Sequence, residues 1–215
     1  MNYLDLVNNV LRRMRENTVV SLYQNEQSTV VADFINDARR QVEEAHDWSC
    51  LYTDLSINTV ADTYEYELNG TDNRATVRDA RNLTQGCWMT PTTTAYIRGQ
   101  QLSDDPGTSA PSRYTLAGTS ADGDAMVQVW PTPDGIYTLS FNVSLRGSDL
   151  LAEGDETPLP HMPIIHLAHA MAALERGAVD GADAQALASI AKKSLGDAIM
   201  YDMAKQPENN IWYPV

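Results

Sequence analysis

The order of periodicities along this chain predicts an α+β protein, a helical bundle from N- and C-terminal helices with a central antiparallel β-region inserted. Three observations carry the prediction. Apolar residues recur at three- and four-residue steps over the first 48 residues. They recur at two-residue steps through the middle of the chain, where turn-forming dipeptides separate them. The helical spacing then returns from residue 157 to residue 205. The organisation expected is therefore residues 1–49 and 157–205 as the bundle, 50–156 as a β-rich insertion, and 206–215 as an extended C-terminal segment.

Each element has a local reason. Tyr3, Leu6, Val7, Val10, Leu11 and Met14 form one stripe of a first helix, with Asn2 placed to cap it through its side-chain oxygen. β-Branched Thr18, Val19 and Val20 disfavour its continuation. A second helix is expected over residues 28–48, with Val31, Phe34, Ile35, Ala38, Val42 and Ala45 inward and Asp33, Asp37, Arg40, Glu43 and Glu44 on other faces. Residues 51–57 and 64–68 read as strands, the latter closed by the turn pair Asn69-Gly70. Strands are also expected over 75–83, 88–97 and 113–116, with loops over 103–111 and 117–124. Met126 to Trp130 and Ile136 to Leu145 read as the two arms of a hairpin turned by Pro131-Thr132-Pro133-Asp134-Gly135. Pro158 and Pro160 suit the start of a third helix, apolar on most sides and therefore buried, ending at Gly177 or Gly181. A fourth helix over 183–205 turns Leu187, Ile190, Ala191, Leu195, Ala198, Ile199 and Met203 inward.

Composition narrows the function. The chain has 215 residues, 43% of them hydrophobic, enough for a sizeable core. No apolar run reaches membrane-spanning length, and the richest stretch, 160–174, is interrupted by His161, His166 and His169. No basic segment precedes an apolar one at the start, so no signal peptide is expected. The net charge of −14 opposes a duplex-binding surface, which needs clustered cations to displace counterions. The one basic cluster, Arg12, Arg13 and Arg15 with Arg39 and Arg40, is interleaved with carboxylates and reads as two solvated helix faces.

Motifs for catalysis are not found. There is no glycine-rich phosphate loop, no nucleophile elbow and no paired Cys-x-x-Cys. His166 and His169 share a helix face, but no Asp or Glu stands at ligand spacing beside them, so packing histidines are expected and no metal or cofactor. Asp149, Glu153, Asp155 and Glu156 lack calcium-loop spacing and read as a solvated loop. Cys50 and Cys87 read as buried, reduced thiols of a cytosolic setting. The segment Ile211, Trp212, Tyr213, Pro214 and Val215 places two large aromatics after a polar linker, where they need a pocket, in the chain's own bundle or in a partner.

Two stretches carry a resemblance. Met1-Asn-Tyr-Leu-Asp-Leu-Val-Asn-Asn-Val-Leu-Arg-Arg-Met-Arg-Glu16 and Val31-Ala-Asp-Phe-Ile-Asn-Asp-Ala-Arg-Arg-Gln-Val-Glu-Glu-Ala45 with Trp48 are similar to the start of head-to-tail adaptors of tailed bacteriophages. The segment from Trp130 to Leu139 resembles the central hairpin of the same group, which includes the tail tubular protein A type of short-tailed phages. The resemblance implies a structural, non-enzymatic virion protein assembled in the host bacterial cytoplasm. It implies a dodecameric ring between the portal protein and the tail nozzle protein, with tail fibres as further neighbours and no membrane partner. The bundle would face the portal and the β-region the tail, and the segment Ile211 to Val215 would dock into the portal. DNA would pass through the ring without specific binding, repelled by an acidic lumen. Three other readings stand beside it: a head-completion protein of a long-tailed phage, a metal-dependent hydrolase using the histidines, and a DNA-binding packaging protein using the arginines.

Overall fold

In the computed structural model the described residues are 1–72, 74–103, 107–177 and 181–205, the side chains of 181, 182 and 184 excepted. Among them the helices are α1 (Tyr3–Arg13), α2 (Glu26–Glu44), α3 (Thr94–Gln101), α4 (His161–Glu175) and α5 (Gly181–Met203). The strands are β1 (Tyr52–Asn58), β2 (Glu65–Leu68), β3 (Thr76–Asn82), β4 (Cys87–Trp88), β5 (Thr90–Pro91), β6 (Arg113–Thr119), β7 (Ala125–Trp130) and β8 (Thr138–Ser144). The fold is α+β, in two compact units: Met1–Cys50 with Gly147–Val215, and Leu51–Arg146.

In the helical unit, Asn2 Oδ1 accepts the Asp5 amide at 2.8 Å, capping α1 as its sequence suggests. Tyr3, Leu6, Val7, Val10 and Leu11 are its buried stripe. Beyond the helix, Asn8 holds Val19 by both backbone groups, accepting its N–H at 2.8 Å and donating to its carbonyl at 2.9 Å. The second helix differs from expectation at both ends. It starts two residues earlier, at Glu26, because Asn25 and Ser28 form a reciprocal capping box. It stops at Glu44, leaving Ala45 exposed, while Trp48 is buried beyond the helix and donates its indole N–H to the Val42 carbonyl at 2.7 Å.

Arg12, Arg13, Arg15, Arg40, Glu153 and Glu156 are exposed, as solvated faces require, but Arg39 is not. Arg39 and Glu43, one turn apart on α2, are 3% and 1% exposed in their side chains and lie 3.6 Å apart. Glu43 Oε1 accepts the Gly147 amide at 2.7 Å, and Arg39 donates to the Gly147 carbonyl at 3.0 Å. Asp149 binds Arg39 and Arg40, whose guanidinium groups hold its carboxyl below the usual range. Asp155 accepts the Leu151 and Ala152 amides, both at 2.8 Å, so the acidic loop is internally bonded. Next to these, Asn36 pairs with both backbone groups of Leu150, at 3.0 Å each, and also donates to the Tyr3 hydroxyl. Arg39 escapes the sequence pattern because Gly147 and Asp149, which hold it, lie more than 100 residues away.

Helix α4 packs against α1, α2 and α5, which explains its apolar sequence on nearly every side. Gly177, at φ +59, closes it in the left-handed conformation that favours glycine. Helix α5 is covered less than its sequence predicts. Ala191 is buried and Leu187, Leu195, Ala198 and Ile199 are half-buried, but Ile190 and Met203 stand 50% and 51% exposed. Asp202 ties α5 to the segment after α2, accepting the Ser49 amide at 2.9 Å and its hydroxyl at 2.6 Å.

The β unit is a two-layer sandwich. One sheet has the order β1-β8-β3-β4 and the other β2-β7-β6-β5; all pairings are antiparallel except β5 with β6. The expected hairpin is therefore not formed. β7 pairs with β2 and β6 in one sheet, and β8 pairs with β1 and β3 in the other. The 131–137 segment crosses between layers, so that Val127 and Val129 face Leu139, Phe141 and Val143 across one core instead of lying side by side. Both arms alternate cleanly because each has one face buried, a pattern that does not reveal which sheet a strand joins. Asn69-Gly70 turns the chain with Gly70 at φ +86, but again from one sheet to the other. Residues 94–97, the end of the stretch expected as strand, open helix α3: Thr93 caps it by accepting the Tyr96 amide, and Ile97 is fully buried. β6 runs on to Thr119, past a register shift at Gly118, φ +108, which shortens the expected loop.

Removing one partner of the buried Arg39–Glu43 pair leaves an uncompensated charge. Glu43→Ala is expected to destabilise the fold by about 3–5 kcal/mol in urea unfolding. The apolar pair Arg39→Met with Glu43→Leu is expected to cost less than either single change; an additive or larger loss would show the pair to be net stabilising.

Candidate interaction surfaces

Two surfaces stand out among the described residues, one in each unit. In the β unit, three loops are bonded together at one end of the sandwich. Thr59 Oγ1 donates to the Gly135 carbonyl at 2.9 Å, the Thr59 amide to the Tyr137 carbonyl at 2.9 Å, and the Leu83 amide to the Thr138 carbonyl at 2.8 Å. These bonds fix an apolar tip, with Val60, Leu83 and Ile136 at 60%, 48% and 76% exposure. Ile136, expected inside a hairpin arm, is thus a tip residue. The clustering is invisible in sequence, since each residue belongs to a different turn.

In the helical unit, α4 and α5 flank a groove of about 740 Å³. Met162, Ile190, Ala198 and Tyr201 supply apolar wall, and Lys193, Asp197 and Lys205 supply charge. Around the outside of α5, Met200 and Tyr201 are 73% and 69% exposed. Such apolar exposure on a helix is the mark of a surface that meets something else.

The three histidines lie along α4 and not around a common centre. His161 and His166 line the larger groove, and His169 lines another beside Arg13, Arg15 and Arg176. Burial is the main reason that all three are held below the ordinary histidine range; the Arg13 charge adds to it for His166 and His169. Among the described residues no group of three or more His, Cys, Asp or Glu is arranged to hold a metal. Cys50 and Cys87 are free and exposed, contrary to the expectation of buried thiols. Partial burial and nearby Asp202 push the Cys50 thiol up, away from the reactive thiolate. No helix among the described residues is long and apolar enough to cross a membrane. Ile211, Trp212, Tyr213, Pro214 and Val215 lie outside the described residues.

Each unit thus exposes apolar residues of its own. Comparison with protein-family models identifies the family. The SU10 adaptor protein model matches residues 1–212, and the chain belongs to that family. It is a phage head-to-tail adaptor, a structural component of the virion. No curated protein matches the chain.

The depressed histidines set a pH dependence. A histidine whose folded pKa lies below its unfolded value near 6.5 leaves stability intact above that value, and stability falls as pH drops from there through the folded value. Thermal unfolding followed from pH 7.5 to 5 is expected to show this loss, and His166→Gln with His169→Gln is expected to flatten it. An unchanged slope would assign the loss to other groups.

Proposed function

We propose that this chain forms the ring that joins the portal to the tail, of the tail tubular protein A type found in short-tailed phages. The match of the adaptor family over residues 1–212 carries this reading. Its action is mechanical, with no catalytic step: a closed ring of identical copies, twelve in the form proposed, continues the portal channel toward the tail nozzle. In this assignment the helical unit faces the portal and forms the ring, and the β unit reaches the tail components. The two-unit division supports it by giving each partner its own module, and the apolar tip of Val60, Leu83 and Ile136 is a ready contact for tail proteins.

The formal charge of −14 per copy supports a channel that DNA slides through. Phosphates meeting a wall of carboxylates are repelled and find no cation to bind. The segment Ile211, Trp212, Tyr213, Pro214 and Val215 is assigned to the portal, as an aromatic anchor on a polar linker.

Electron microscopy of the chain mixed with the portal protein of the same genome tests the reading. The expected result is a ring stacked on the portal, lost when residues 211–215 are deleted. A stack that survives the deletion keeps the adaptor and removes the anchor; no association under any condition removes both. Ile136→Asp is expected to leave the portal stack intact and to weaken recruitment of the tail nozzle protein by tenfold or more, read by co-sedimentation.

A further inference from the structure

We infer that neighbouring copies meet head to tail through their helical units, the outward side of α5 in one copy seating against a groove beside α2 in the next. The inference rests on the ring reading and specifies its contact.

The first surface follows from the phase of α5. The helix packs on α4, and its more covered side carries Ala191, Leu195, Ala198 and Asp202, which lie together at 100° per residue. Lys192, Gly196, Met200 and Met203 then point away from the unit. Met200 and Met203 are 73% and 51% exposed, and Lys192, Lys193 and Asp197 are exposed in the turns before them. Gly196 stands mid-helix, where a glycine weakens the helix, yet a Cβ there would meet nothing within 4 Å. The fold of one copy gives no reason for it; the close approach of a second copy does.

The second surface is a groove of about 530 Å³ between the first half of α2 and the end of α4. Val30, Phe34 and Ala172 give it an apolar floor, and Glu26 and Glu175 stand on its rim. Arg176 also lines it, but that charge is engaged by Glu16 at 2.9 Å. The Gln27 amide nitrogen at this groove is buried without a hydrogen-bond partner among the described residues. Along α2 the acidic side continues: Glu26, Asp33, Asp37 and Glu44 fall on one stripe, all exposed, on the side opposite Ile35.

Complementarity selects the occupant. Met200 and Met203, with Lys192 and Lys193 about two turns before Met200 on the same helix, fit an apolar floor with an acidic rim. Either surface against its own copy would set lysine against lysine or glutamate against glutamate, so a two-fold dimer is disfavoured. The pairing that matches is heterologous, which is the kind that closes into rings. Both surfaces are available in one copy at once, since α2 and α5 each pack on α4 and make no more than marginal contact with each other among the described residues.

Charge reversal in the full chain, read by sedimentation velocity with folding checked by circular dichroism, tests this. Lys192→Glu with Lys193→Glu, and separately Glu26→Lys with Glu175→Lys, are each expected to weaken self-association at least tenfold. All four changes in one chain are expected to restore it. Reversed variants that assemble like the unaltered chain overturn the contact and leave the ring standing, as does a combined variant that fails to recover. An unaltered chain that stays monomeric at every concentration, alone and with the portal protein, overturns the contact together with the ring.

Discussion

The helical unit is assembled from two stretches of chain separated by the whole of residues 51–146, and a buried charge pair fixes how they meet. Arg39 and Glu43 belong to α2, yet their hydrogen bonds reach Gly147 and Asp149, where the chain returns. Taking both charges out of water costs several kcal/mol for each ion, which their attraction only partly offsets. The gain is register. An apolar contact tolerates sliding by a residue; a carboxylate that accepts one particular amide does not. Gly147 meets the same demand, since a Cβ there would lie 2.8 Å from the Arg39 guanidinium. With Asn36 holding Leu150 by both backbone groups, the return path is set before α4 begins. The packing of α4 on α2, and of α5 on α4, follows from that placement.

The legible part of the fold was the part that local chemistry decides. Asn2 caps α1, Gly177 ends α4, and burial alternates along most of β1, β7 and β8. What escaped was set by partners distant in sequence. Pro131 to Gly135 has every signal of a tight turn, but turn residues only say that the chain bends. Whether the next strand stays in the layer or crosses to the other is decided by which arrangement buries more apolar surface, here Phe141 against Tyr114 in a perpendicular ring contact at 5.7 Å. The strand expected over 88–97 gives way to α3 at Thr94, where the Thr93 cap starts a helix.

The surfaces were less legible than the fold, for a reason that belongs to assemblies. An interface helix has two apolar sides, one for its own unit and one for another chain, and sequence alone merges them into a single hydrophobic helix. Ile190 and Met203 were therefore read as inward, although only Ala191 and its helical neighbours face α4. The apolar tip of the β unit escaped for the converse reason, since Val60, Leu83 and Ile136 come together only through hydrogen bonds between three separate loops.

The β unit begins and ends in paired strands. β1 and β8 run antiparallel from Tyr52 opposite Ser144 to Asn58 opposite Thr138, and the Leu145 amide donates to the Leu51 carbonyl at 2.9 Å. The unit thus closes its own loop, and the two points where the chain joins it are neighbours. A module with adjacent ends behaves as a cassette. Its length and shape can be exchanged without altering the distance that the helical unit must bridge, and without threading one part through the other. A lineage of such proteins is then free to keep one helical scaffold and vary the module inserted in it.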